Sequence, residues 1–129
     1  MNKKTNEKGF TIIEILVGIA IFSIGMLAVA SLQITSINAN TSARKISDVT
    51  ILAENQMESL MGLAYTDSEL DPNLNPHQIV SAPYTISWNT TEMDIDGDTT
   101  NDSKFIDLSA QYNGPSPKTV ILQYIIPQP

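Results

Sequence analysis

The sequence predicts an α+β fold: a long N-terminal α-helix, membrane-spanning in its first half, packed through its second half on a small antiparallel β-meander. Three observations predict it. Residues 15–43 carry no charge and residues 15–32 are almost wholly apolar, which meets the about 20 residues that a bilayer-spanning helix requires. Beyond them Ile46, Val49, Ala53, Met57, Leu60 and Ala64 recur at spacings of three and four while Arg44, Asp48, Glu54 and Glu58 fall elsewhere, the pattern of an amphipathic helix. Nearer the C-terminus three runs alternate: Tyr84, Ile86 and Trp88; then Ile106, Leu108, Ala110 and Tyr112; then Val120, Leu122, Tyr124 and Ile126. Alternation of this kind suits a sheet with one buried face.

Taken in order, residues 1–9 form a short leader with Lys3, Lys4, Lys8 and one acid, Glu7. Residues 10–34 form the transmembrane helix and residues 35–64 its amphipathic extension. No proline or strong cap interrupts residues 10–64, so a single helix about 80 Å long is expected at 1.5 Å per residue, with Gly62 beginning its end. Residues 65–129 form the sheet region. Within it residues 66–83, with Asp71, Pro72, Asn75 and Pro76, read as a loop. Asn113, Gly114, Pro115 and Pro117 supply the turn between the second and third strands. The cover for the sheet is the Ile46, Ala53, Met57 and Leu60 stripe of the helix.

At 129 residues the chain has room for one small domain. It contains no cysteine, which excludes disulfides and thiolate metal sites. A chain beginning at Phe10 would keep four basic and thirteen acidic residues, and so large an acidic excess argues against nucleic acid as a partner. Lysines precede the apolar segment and acids follow it. By the positive-inside bias the N-terminus is cytoplasmic, the helix crosses the cytoplasmic membrane once, and the remainder lies outside.

Glu14 is the anomaly in this segment. A carboxylate at the centre of an inserted helix costs about 2.5–3.5 kcal/mol on translocon scales, so it needs a partner. The run "KGFTIIEILVGIAIF" is not an ordinary secretory signal: the apolar region follows the candidate cleavage point and no A-x-A site comes after it. Gly9, Phe10, Thr11 and Glu14, after a lysine-bearing leader and before an apolar helix, resemble the class III signal of type IV pilins and type II secretion pseudopilins. The resemblance implies that a prepilin peptidase cuts after Gly9 and methylates the new amine of Phe10. Such a cut would place an amine one helical turn from Glu14, beside a positive helix N-terminus. The resemblance further implies that the Glu14 carboxylate meets the N-terminal amine of a neighbouring subunit during assembly. Gly18, Ala20 and Gly25 would let spans approach closely, with Gly18 and Gly25 on one face.

Within that family the segment "FSIGMLAVASLQ", residues 22–33, is similar to PilV-type minor pilins, the type IV pilus modification proteins. Major pilins of the family usually carry a proline in the span and often a C-terminal disulfide loop, and this chain has neither. The expected role is a minor pilin that acts in pilus assembly, initiation or decoration, in the membrane before processing and on the cell surface after it. Its implied partners are prepilin peptidase, other major and minor pilins, the inner-membrane assembly platform and membrane lipid. The alternatives are a type II secretion pseudopilin and a membrane-anchored surface module that binds calcium or another ligand.

Weaker signals have simpler readings. Asp94, Asp96, Gly97, Asp98 and Asp102 suggest calcium, but an EF-hand counted from Asp94 needs its glycine sixth and its glutamate twelfth, whereas Gly97 is fourth and Phe105 twelfth. A solvated turn is the main reading and a calcium site of another type the alternative. His77 beside Pro76 has no companion ligand and reads as an exposed loop residue. Tyr84, Trp88, Tyr112 and Tyr124 read as core before they read as a stacking surface. The triplets that begin at Asn40, Asn89 and Asn101 read as incidental. No nucleophile, acid and histidine set and no glycine-rich phosphate loop occurs, so no enzyme and no cofactor is expected.

Overall fold

The computed structural model describes residues 10–95, 97 and 100–129. Helix α1 spans Ile12–Met61, followed by two short 3-10 turns, Ser68–Leu70 and Pro72–Leu74, and by strands β1 (His77–Ser81), β2 (Tyr84–Met93), β3 (Ser103–Tyr112) and β4 (Lys118–Pro127). The four strands form one antiparallel sheet in the order β1-β2-β3-β4. The fold is thus α+β, with the long helix and antiparallel meander that the periodicities predict. Two compact units are present, Met1–Asn40 and Thr41–Pro129.

In the first unit every described residue is exposed. The α1 residues there are mostly apolar, and α1 is long and apolar enough to cross a membrane. Two of its hydroxyls turn back onto the helix: Ser23 Oγ donates to the Ile19 carbonyl at 2.7 Å and Thr35 Oγ1 to the Ser31 carbonyl at 3.1 Å. Each of these hydroxyls is then satisfied within the helix, as a lipid environment demands.

The second unit has a core of its own. Val49, Ala53, Met57 and Leu60 from α1 pack with Leu70, Ile86, Trp88, Ile106, Leu108 and Ala110. The predicted stripe is therefore correct at its centre and too long at both ends. Ile46 is 45% exposed, and α1 stops at Met61 rather than at Ala64, where the Gly62 and Leu63 amides bond carbonyls of the last turn. All three alternating runs are strands. Tyr124, though on the helix-packed face of β4, is 40% exposed, because β4 is an edge strand and the core tapers there.

Residues 66–83 are not simply a loop. They contain both 3-10 turns, and they contain β1, which pairs with β2 from His77↔Trp88 to Ser81↔Tyr84. The sheet therefore has four strands rather than three. The strand escapes the alternation test because Ile79 and Val80 are adjacent, so neither face carries a periodic signal.

Candidate functional site

The first turn of α1 holds Glu14, one of the residues singled out in the N-terminal run. The Thr11 carbonyl accepts from the Glu14 amide at 3.0 Å and from the Ile15 amide at 3.2 Å, so the helix is wound from its first residues. Phe10 precedes it and is 80% exposed. Glu14 is the acid of the first turn, where the free amides of a helix start concentrate positive potential. Gly9 lies outside the described residues. Nothing crowds Gly18 or Gly25: a Cβ on either would find no atom within 4 Å. Gly25 lines an open apolar groove of about 430 Å³ with Phe22, Met26, Val29, Ala30 and Gln33. Gly18 stands outside that lining, two turns earlier on the same face.

The acidic hairpin between β2 and β3 shows turn chemistry. Asp94 Oδ1 accepts the Gly97 amide at 2.7 Å and Asp102 Oδ1 accepts the Ile95 amide at 3.1 Å. Gly97 has φ +80°, a left-handed conformation that glycine adopts at no steric cost. Asp96 and Asp98 lie outside the described residues, and among the described residues no group of three acidic or histidine side chains is placed to hold a metal.

What the sequence did not disclose is how the segment between α1 and β1 is held. Side chains from the sheet region reach its backbone, since it has no ladder of its own. Lys104, only 5% exposed, donates through Nζ to the Tyr65 carbonyl at 2.7 Å and sits 4.5 Å from the centre of the Tyr65 ring. Trp88 Nε1 donates to the Glu69 carbonyl at 2.9 Å. His77 stacks on Trp88 with ring centres 5.4 Å apart, its Nε2 lying 3.1 Å from the Asp71 carbonyl. His77 is thus a half-buried strand residue, which corrects its reading as an exposed loop side chain. Asn75 acts as a substitute peptide: its Oδ1 accepts the Thr90 amide at 2.9 Å and its Nδ2 donates to the Thr90 carbonyl at 2.6 Å. These bonds extend the β1–β2 ladder past the end of β1.

Asp71, Tyr65 and Tyr84 of this unit are perturbed. The Asn73 backbone amide, and then its side chain, hold the Asp71 carboxyl below its ordinary 3.8 by bonding the charged form. Burial raises the Tyr65 phenol above 10.0, with smaller contributions from Glu92 and Asp102. Burial also raises Tyr84, helped by Asp48, whose Oδ2 accepts the Tyr84 hydroxyl at 3.4 Å.

No curated protein and no solved structure matches the chain. A family described as "Prokaryotic N-terminal methylation motif" does match, over residues 4–30, about a fifth of the chain. The chain therefore carries a prokaryotic N-terminal methylation motif, and the matched stretch takes in Gly9, Phe10, Glu14, Gly18 and Gly25 together.

Proposed function

We propose that this protein is a minor pilin of a type IV pilus, held in the cytoplasmic membrane by α1 until prepilin peptidase cuts between Gly9 and Phe10 and methylates Phe10. The methylation motif over residues 4–30 carries this reading. Glu14 then serves registration: its carboxylate meets the amine of a neighbouring Phe10, and in low dielectric such a charge pair is strong enough to select one register of helices. Between apolar helices no hydrophobic drive exists, so close approach at Gly18 and Gly25 supplies the packing contribution. The role is structural assembly, and it calls for no cofactor.

Mass spectrometry of sheared filaments tests the whole reading. The expected chain starts at N-methylated Phe10 and co-purifies with the major pilin; a chain still starting at Met1 would sink the proposal. Gly9→Val is expected to block maturation on an immunoblot. Glu14→Ala is expected to mature normally and to be depleted at least about tenfold from filaments, as the loss of one charge-assisted contact worth about 1.4 kcal/mol or more implies. Recovery of the mature chain in a secretion pseudopilus instead would favour the pseudopilin alternative.

A further inference from the structure

The β4 edge of the sheet differs from an ordinary edge, and the short β1 edge matches it. Natural edge strands are blunted by charge, proline, bulges or shortness. Between Lys118 and Pro127 strand β4 has none of these: residues 119–126 read TVILQYII. Apolar side chains stand on both its faces, as on a strand buried between two neighbours. On the face away from the helix Ile121 is 61% and Ile125 43% exposed. That face is otherwise largely polar, with Ser87 and Asn89 on β2 and Asp107, Ser109 and Gln111 on β3. At the opposite edge β1 likewise leaves an apolar residue uncovered on each face: Ile79 is 43% exposed on the helix-packed face and Val80 67% exposed on the other.

We infer that the β4 edge receives the β1 edge of a second copy of this chain, continuing the sheet from one subunit into the next. Direction permits it. A meander with an even number of strands has its first and last strands antiparallel, so β4 of one copy meets β1 of an identically oriented copy in antiparallel sense. Pattern then selects one register, since a slip of one residue exchanges the faces and a slip of two changes every pair. Placing Ile79 opposite Leu122 puts Val80 opposite Ile121, Gln78 opposite Gln123 and His77 opposite Tyr124. Apolar meets apolar on both faces, amide meets amide and ring meets ring, and only Ser81 opposite Val120 is an unlike pair. Sliding by two residues in either direction sets Val80 against Thr119 or against Gln123 and breaks the match. Five paired residues make a weak contact between free molecules. It becomes effective when membrane-anchored helices hold copies side by side at high local concentration.

The absence of cysteine from the chain makes the test direct. Residues directly opposite in an antiparallel pair have Cα atoms about 4.5–5.5 Å apart, inside the about 4.4–6.8 Å range of a disulfide. Full-length Val80→Cys and Ile121→Cys chains, carrying different tags and co-expressed, are oxidised in native membranes. A mixed Val80–Ile121 dimer is expected in clear excess over the Val80–Thr119 and Val80–Gln123 combinations and over both homodimers. An Ile79→Lys substitution, at an exposed edge position, is expected to abolish the cross-link with an unchanged circular-dichroism melt. Homodimers in equal yield, a maximum at another register, or no mixed dimer would each overturn the inference. The sheet carries it without the methylation motif, so an uncleaved chain that still forms the mixed dimer would sink the pilin reading and leave this one standing.

Discussion

At the scale of single residues, two buried polar groups near the end of β2 behave oppositely. Thr90 is 1% exposed and its Oγ1 has no hydrogen-bond partner. A hydroxyl desolvated without a bond costs about 1–3 kcal/mol. Thr90→Val keeps the shape and removes the cost, so it is expected to raise stability by about 1 kcal/mol in chemical unfolding. Trp88 is as deeply buried, but its Nε1 ties down the Glu69 carbonyl. Trp88→Phe leaves that carbonyl unpaired and shrinks the ring under His77, and a loss of about 1–3 kcal/mol is expected, together with faster proteolysis in residues 65–75. A Trp88→Phe chain that melts with the unsubstituted protein would show that the tether contributes nothing. Neither role is readable in sequence. Spacing places both on one strand face, and only the partner of each polar group decides its role.

At the scale of elements, the helix stripe is readable because a 3.6-residue period survives averaging, and Val49, Ala53, Met57 and Leu60 are buried as their spacing predicts. Ala53 is fully buried, and its small size is what lets α1 approach the sheet. Ala53→Leu is expected to cost about 1–3 kcal/mol by overpacking, whereas the same change at exposed Ala43 is expected to be silent in the same melt. Gly114 is constrained in another way: a Cβ there would collide with the Tyr112 ring. The turn residues near it are visible in sequence, but its close approach to the Tyr112 ring is not. Strand β1 is hidden because its hydrogen bonds go to β2 and its end is completed by the Asn75 side chain, neither of which leaves a local periodicity.

At the scale of the whole molecule, the second unit weakens toward both pH extremes, for opposite reasons. The Tyr65 and Tyr84 phenols are raised above 10.0 in the folded chain. Their contribution to stability is therefore complete below the unfolded value of 10.0 and is lost as pH climbs through the raised folded values. Melts from about pH 8 to about pH 12 are expected to fall only at the alkaline end, and Tyr84→Phe is expected to flatten part of that fall. In acid the sign reverses: the depressed Asp71 carboxyl supports the Pro72–Leu74 turn above the unfolded 3.8 and ceases to do so as pH drops through its lower folded value.

The candidate assembly site is legible in the amino-acid sequence because its chemistry is local. Gly9, Phe10 and Glu14 are neighbours in the chain, and the methylation motif, a helix start and an apolar span are each written in consecutive residues. Sequence by itself determined the helix, its apolar length, its stripe and three of the four strands, since each has a period that backbone geometry imposes on nearby residues. Tertiary structure alone decided the fourth strand, the tethers from Lys104, Trp88 and Asn75, and which edges of the sheet stay open. The tethers depend on atoms brought together from 15 to 39 residues apart, and β1 depends on its pairing with β2; no local period records either.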